Sequence, residues 1–179
     1  MQLCTCQNVA IHENLLKNGV HLCSIERSEL YTEDDTFREA YDWLASALAK
    51  KVKKPNGATY PIWAYAETPE GYDYHGQGSE GEECVYLEIE VPSNQVVALD
   101  PVKWFSVVID GFVYPSDADD EEYYRLRNWY ENASEEEIEA NRQQIFDVAE
   151  DEIPEMIFWS IKADEVKKAV RYTCHLDND

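Results

Sequence analysis

Cys84-Val85-Tyr86-Leu87-Glu88-Ile89-Glu90-Val91 alternates along its length. A period of two is the signature of a β-strand with one buried face. Val85, Leu87, Ile89 and Val91 fall on the buried side, while Tyr86, Glu88 and Glu90 fall on a half-exposed one. Upstream, Pro55-Asn56-Gly57 forces a turn, and Tyr60-Pro61-Ile62-Trp63-Ala64-Tyr65-Ala66 then reads as a second strand. Downstream, Gln95 to Leu99 adds a third. Asp100 followed by Pro101 is a helix start: a carboxylate caps the free N–H groups, and proline suits the first helical position. The helix continues through Trp104 to Ile109.

Toward the N-terminus, Gln2 to Gln7 reads as a strand and Val9 to Lys17 as a helix that Gly19 stops. Asp34, Asp35 and Thr36 offer caps for a longer helix, whose apolar positions Phe37, Ala40, Tyr41, Leu44, Ala47 and Leu48 share one face. Lys50, Lys51, Lys53 and Lys54 suit its negative C-terminal end. The Gly71 to Gly81 stretch reads as a loop. Beyond Pro115, one helix is expected over Asp120 to Asn132. Ser134-x-x-Glu137 is a capping box opening another, expected to reach about Ala149. Two strands close the chain, near Met156 to Lys162 and Ala169 to Cys174. No repeat or linker divides the whole. The expectation is one α+β domain over residues 1–179, with a mostly antiparallel sheet of about five or six strands and about four or five helices.

The 179 residues are 44% hydrophobic and 12% aromatic, enough for a real core. No apolar run approaches the roughly 20 residues that a membrane span needs. Met1 to Cys6 lacks the basic start and apolar run of a signal peptide. The odd set Cys4, Cys6, Cys23, Cys84 and Cys174 suggests reduced thiols in a cytoplasmic protein. Cys4 and Cys6 share a strand face, but no second Cys or His pair has zinc-ligand spacing. His12, His21, His75 and His175 form no metal motif; His75 is the most interesting of them, lying in the glycine-rich stretch. Asp117-x-Asp119-Asp120-x-Glu122 fails as a calcium loop, with Glu122 where glycine is required and Asn128 where glutamate is required. No metal and no cofactor are expected.

Charge is the outlier. Fifteen Lys and Arg face 37 Asp and Glu, a net of −22, where a small domain ordinarily carries a magnitude of roughly 2 to 8. Direct binding to DNA or RNA is disfavoured, because phosphate contacts need Lys and Arg. Between Pro115 and Glu155, fifteen acids face only Arg125, Arg127 and Arg142, so twelve of the 22 net charges lie there. Acids three and four apart on a helix are neighbours, so Glu135, Glu136 and Glu139 can form a charged row. Glu137, with Asp117, Asp119, Asp120, Glu121 and Glu122, extends it. Tyr123, Tyr124, Trp129 and Tyr130 are interleaved as anchors for a partner. Such a face would mimic nucleic-acid phosphate and be steered onto a basic groove. The expected partner is a nucleic-acid-handling protein, for example a restriction or CRISPR nuclease, with the chain as its inhibitor. The plainer alternative is a solvated surface, or a regulatory partner without catalysis. Lys162, Lys167, Lys168 and Arg171 form a modest basic patch that could equally protect a sheet edge.

An enzymatic alternative places a pocket near Trp63, Tyr65, Tyr86 and Glu88, since a carboxylate beside aromatic rings can serve as acid or base. Phe37 with Ala40-Tyr41-Asp42-Trp43-Leu44, then Tyr60 to Tyr65, Val85 to Pro92, Trp104, Phe158-Trp159-x-Ile161 and Val166 together resemble an uncharacterised bacterial family, the domain of unknown function numbered 3841. That resemblance implies a single domain and lends no activity. The opening order of strand, helix and Gly19 is also similar to ADP-ribosyltransferase-type folds, which implies group transfer from NAD. Such enzymes hold NAD with a His or Arg on the first strand, where this chain has Cys4 or Thr5.

Overall fold

The computed structural model describes residues 1–23, 35–66, 78–150 and 152–175. The side-chain caps expected at 34–36, His75, and the greater part of the glycine-rich stretch lie outside the described residues. The chain folds as β1 (Gln2–Asn8), α1 (Val9–Asn18), β2 (Val20–Leu22), α2 (Asp35–Lys51), β3 (Ile62–Tyr65) and β4 (Glu83–Glu90). After these come β5 (Val97–Leu99), α3 (Pro101–Asp110), α4 (Asp120–Asn132), α5 (Glu135–Arg142), β6 (Glu155–Phe158), β7 (Ser160–Lys162) and β8 (Val166–Thr173).

Among the described residues the main sheet has six strands in the order β5-β6-β3-β1-β4-β8, all antiparallel, and β2 with β7 forms a separate ribbon. This is the expected α+β architecture. Strand β1 sits centrally, pairing over its whole length with β4, from Gln2 opposite Glu90 to Asn8 opposite Cys84. Toward β3 it makes a single registered pair, Cys4 opposite Tyr65. Beyond that pair the two strands diverge, and the hydroxyl of Thr5 donates to the Trp63 carbonyl across the opening at 2.7 Å.

Alternation distributes the core over both faces. Leu3, Ile62, Ala64, Val85, Leu87, Ile89 and Phe158 gather on one face with Leu15 of α1 and Ile161 of β7. On the other, Leu99 and Ile157 pack beneath Ala40, Leu44 and Leu48 of α2 and Trp104, Val107 and Val108 of α3. That face of β4 is less open than expected. Tyr86 is buried with Cys4, Cys84, Tyr172 and Cys174, because the β1 and β8 registers bring these side chains together. Only the Glu88 and Glu90 end stays accessible.

Local signals explain the element ends. Asn8 caps α1 through Ala10 N–H, and Gly19 ends it in the left-handed region at φ 77°. Asp100, 3% exposed, accepts from the N–H groups of both Val102 and Lys103 at the start of α3. Several elements differ from expectation, the last strand for one beginning at Val166, three residues before Ala169. The strand read from Met156 to Lys162 is two strands in two sheets, interrupted at Trp159, whose indole turns away to donate to the Val52 carbonyl at 3.2 Å. The helix opened by Ser134 stops at Arg142 and tightens into a 3-10 turn over Gln143–Phe146, well before Ala149. There, burial of Ile145 and a bond from Asp100 N–H to its carbonyl override helical propensity. Finally, Val20–Leu22 is a short strand that its composition does not announce.

Leu87 is fully buried in the middle of the central strand pair. Leu87→Ala should cost about 3 kcal/mol from lost burial and a residual cavity, read as a lower urea midpoint with an unchanged m-value.

Candidate partner-docking face

The acidic segment is an ordered pair of short helices, and its order comes from a few anchors at the end of α3. Phe112 is fully buried, with ring centroids 5.1 Å from Tyr130, 5.5 Å from Tyr114 and 6.4 Å from Tyr123. Both Tyr114 and Tyr123 donate their hydroxyls to Asp110, at 3.0 and 2.7 Å. Helix α5 is clamped by Asn141, whose amide accepts from Val113 N–H at 2.7 Å and donates to Val113 O at 2.9 Å. Arg142 adds a bond to the Gly111 carbonyl at 2.6 Å. Burying a Phe contributes about 2–3 kcal/mol and each aromatic pair about 1 kcal/mol more. A like-charged pair on a helix costs only about 0.2–0.5 kcal/mol. The anchors therefore outweigh the repulsion among the acids.

The carboxylates divide into two groups. Several hold the segment together. Asp119 caps α4 by accepting from Glu122 N–H, Glu137 closes the capping box with Ser134, and Glu122 pairs with Arg125 at 3.4 Å. Glu139 turns inward, accepting from the Trp43 indole and from Lys50 at 2.9 Å. The Trp43 hydrogen bond holds the Glu139 carboxyl below its usual range, with Lys50 and Gln143 adding to it against the cost of burial. The remainder, Asp117, Asp120, Glu121, Glu135 and Glu136, are exposed on the outer surface.

The aromatic residues divide likewise. Tyr123 and Tyr130 belong to the Phe112 stack, whereas Tyr124 is 67% exposed. Trp129 lines an open groove of about 460 Å³ between α4 and α5, with Leu126, Ala140 and Asn141, rimmed by Arg125 and Glu137. The anchors Phe112, Asn141 and Arg142 went unseen in the sequence.

The pocket expected from Trp63, Tyr65, Tyr86 and Glu88 does not assemble as one. Trp63 and Tyr65 line a cavity of about 220 Å³ where β1 and β3 diverge, together with Thr5, Gln7, Cys23 and Glu155. Tyr86 and Glu88 line a different one of about 210 Å³, with Cys4 and Lys167. The cause is topology: β1 lies between β3 and β4 and separates the two pairs. Glu88 is also engaged by Lys168 at 2.7 Å. That lysine belongs to the expected basic patch, whose four members pair with glutamates: Lys162 with Glu165, Lys167 with Glu90, Lys168 with Glu88 and Arg171 with Glu13. Among the described residues no group of three His, Cys, Asp or Glu is placed to hold a metal, and no helix is long and apolar enough to cross a membrane.

The model of the family described as Domain of unknown function (DUF3841) matches residues 2–167, and the chain belongs to that family. No curated protein and no solved structure matches it.

Two variants test the anchoring. Gly111 sits at φ 86°, and an added Cβ would meet the Tyr130 hydroxyl at 2.5 Å and ring carbon at 2.9 Å. Gly111→Ala combines a left-handed backbone penalty of about 1–2 kcal/mol with that collision, so urea unfolding should show a loss of at least that size. Glu139→Gln should destabilise the fold at neutral pH, because a carboxyl held low in the folded state stabilises only while ionised. That contribution is present above the ordinary glutamate range and lost as pH falls through the folded value. The stability gap between parent and variant should therefore close below about pH 4.

Proposed function

We propose that this chain is an acidic binding protein that docks the α4–α5 face onto a basic surface of a nucleic-acid-handling protein. The observation carrying this reading is a packed two-helix layer that exposes Asp117, Asp120, Glu121, Glu135 and Glu136 and bears an open groove at Leu126, Trp129 and Ala140, rimmed by Arg125 and Glu137. An aromatic centre with a charged rim is the usual anatomy of a protein interface, in which a few buried rings supply affinity and the rim supplies selectivity. The chain's net charge of −22 adds long-range steering toward a cationic partner. Carboxylates fixed on helices present negative charge at set spacings, as a phosphate backbone does, so the partner's nucleic-acid groove is the natural seat. A restriction or CRISPR nuclease is one such partner, and occupation of its groove would inhibit it. No catalytic step is part of this reading.

The structure sharpens the choice of variants. Glu137 caps α5 and Glu139 anchors it, so reversing either would confound binding with folding. Glu135 and Glu136 are exposed and carry no such contact among the described residues. The immobilised chain should capture a basic nucleic-acid-binding protein from lysate at low salt and release it at high salt. The double variant E135K/E136K puts two cations at the positive end of α5, so its urea midpoint should fall only slightly, while the capture weakens by about tenfold or more. Capture that survives both high salt and the charge reversal would refute the proposal.

A further inference from the structure

The divergence of β1 from β3 builds a second site, unrelated to the acidic helices. Its cavity of about 220 Å³ is walled by Trp63 and Tyr65 on one strand and by Thr5 and Gln7 on the other, with Glu155 of β6 beside Tyr65. The Tyr65 hydroxyl donates to Glu155 Oε1 at 2.9 Å, which fixes the carboxylate at the rim. Gln7 donates its amide N–H to Thr5 Oγ1 at 2.8 Å, and its amide oxygen is a further acceptor. Glu155 is half-buried, not enclosed.

The lining is one-sided in charge. No Lys, Arg or His is among the residues lining this cavity within the described chain. Burial pushes the Cys23 thiol up, so it stays neutral. The Tyr65 hydroxyl is pushed up to about 12, by burial first and then by the Glu155 charge and hydrogen bond. Tyr41, behind Trp63, is also raised to about 12, chiefly by burial, with Glu155 adding to it. Among the described residues lining this cleft, Glu155 is therefore the charged group. A carboxylate beside a Trp and a Tyr side chain is a setting that favours a cation: aromatic rings attract it and the carboxylate neutralises it. A neutral or anionic ligand of the same shape gains neither term.

We infer that the cleft between β1 and β3 is a binding site for a small organic cation, an ammonium, amidinium or guanidinium group on a slender or planar stem. The cationic group pairs with Glu155, and the stem lies against Trp63 and Tyr65.

Benzamidinium is the probe, with benzamide as its neutral isostere and benzoate as its anionic one, each titrated into the whole chain by amide-resolved NMR. The expected result is shift changes at Thr5, Gln7 and Tyr65 with benzamidinium, and binding at least about tenfold weaker for benzamide and benzoate. Glu155→Gln keeps an acceptor for Tyr65 and should weaken benzamidinium by a similar factor. Glu136→Gln, which removes one charge from the distant acidic face, should change nothing. The inference is overturned if benzamidinium and benzamide bind alike, if shifts miss this cleft, or if E155Q, folded by its amide spectrum, binds as the parent does. An equal loss in E136Q and E155Q would likewise overturn it, since only the diffuse charge of the chain would then be at work.

Discussion

Everything on the acidic side of the molecule depends on the burial of one ring. Phe112 lies immediately after the glycine that ends α3, and the side chains of Tyr114, Tyr123 and Tyr130 close around it. Helix α4 has 13 residues, none of them fully buried, and three acids in its first turn, so its half-buried contacts with Phe112 are what hold it. Helices of that length are marginal in water alone. The favourable placement of those acids at the positive end of the helix helps by only a few tenths of a kcal/mol each. Docking onto Phe112 converts a marginal, self-repelling segment into a fixed surface.

Charge and packing thus have separate roles in this fold. The sheet is conventional, with alternating strands buried by helices on both sides, and its acids serve at the margins: Glu88 and Glu90 pair with Lys168 and Lys167, and Glu155 accepts from Tyr65. The acids are carried on an added layer whose inner contacts are aromatic, amide and guanidinium. Some carboxylates serve that layer directly: Asp110 receives two tyrosine hydroxyls, Glu139 ties α5 to α2, and Glu137 closes a cap. Others point outward with no internal duty among the described residues. The division between working and outward carboxylates is not a matter of composition. It follows from position: Asp119 and Glu137 sit where a helix begins, and Glu139 faces α2.

The strand at Cys84 to Val91, the helix at Ala40 to Leu48, the Asp100-Pro101 start and the Ser134 capping box were all readable because each is a local rule with a local cause. What could not be read were places where distant residues decide. Trp159 breaks an apolar run because the Val52 carbonyl, remote in sequence, takes its indole. Ile145 ends a helix early because it is needed in the core beneath α3. The pocket expected from four aromatic and acidic residues divided because strand order is a global property, and β1 came between them. Glu155 was counted with the acidic segment, yet it faces a cleft formed by the first and third strands. Spacing could not reveal that Asn141 would straddle both backbone groups of Val113.

The interruption at Trp159 has a mechanical consequence. Within one residue the chain leaves the main sheet and enters the β2–β7 ribbon, while the indole is fastened beneath the C-terminal end of α2. The ribbon is tied again where Ala163 N–H bonds the carbonyl of Gly19, just past α1. A rivet at one end and a stitch at the other thus tie the ribbon to the ends of both α2 and α1.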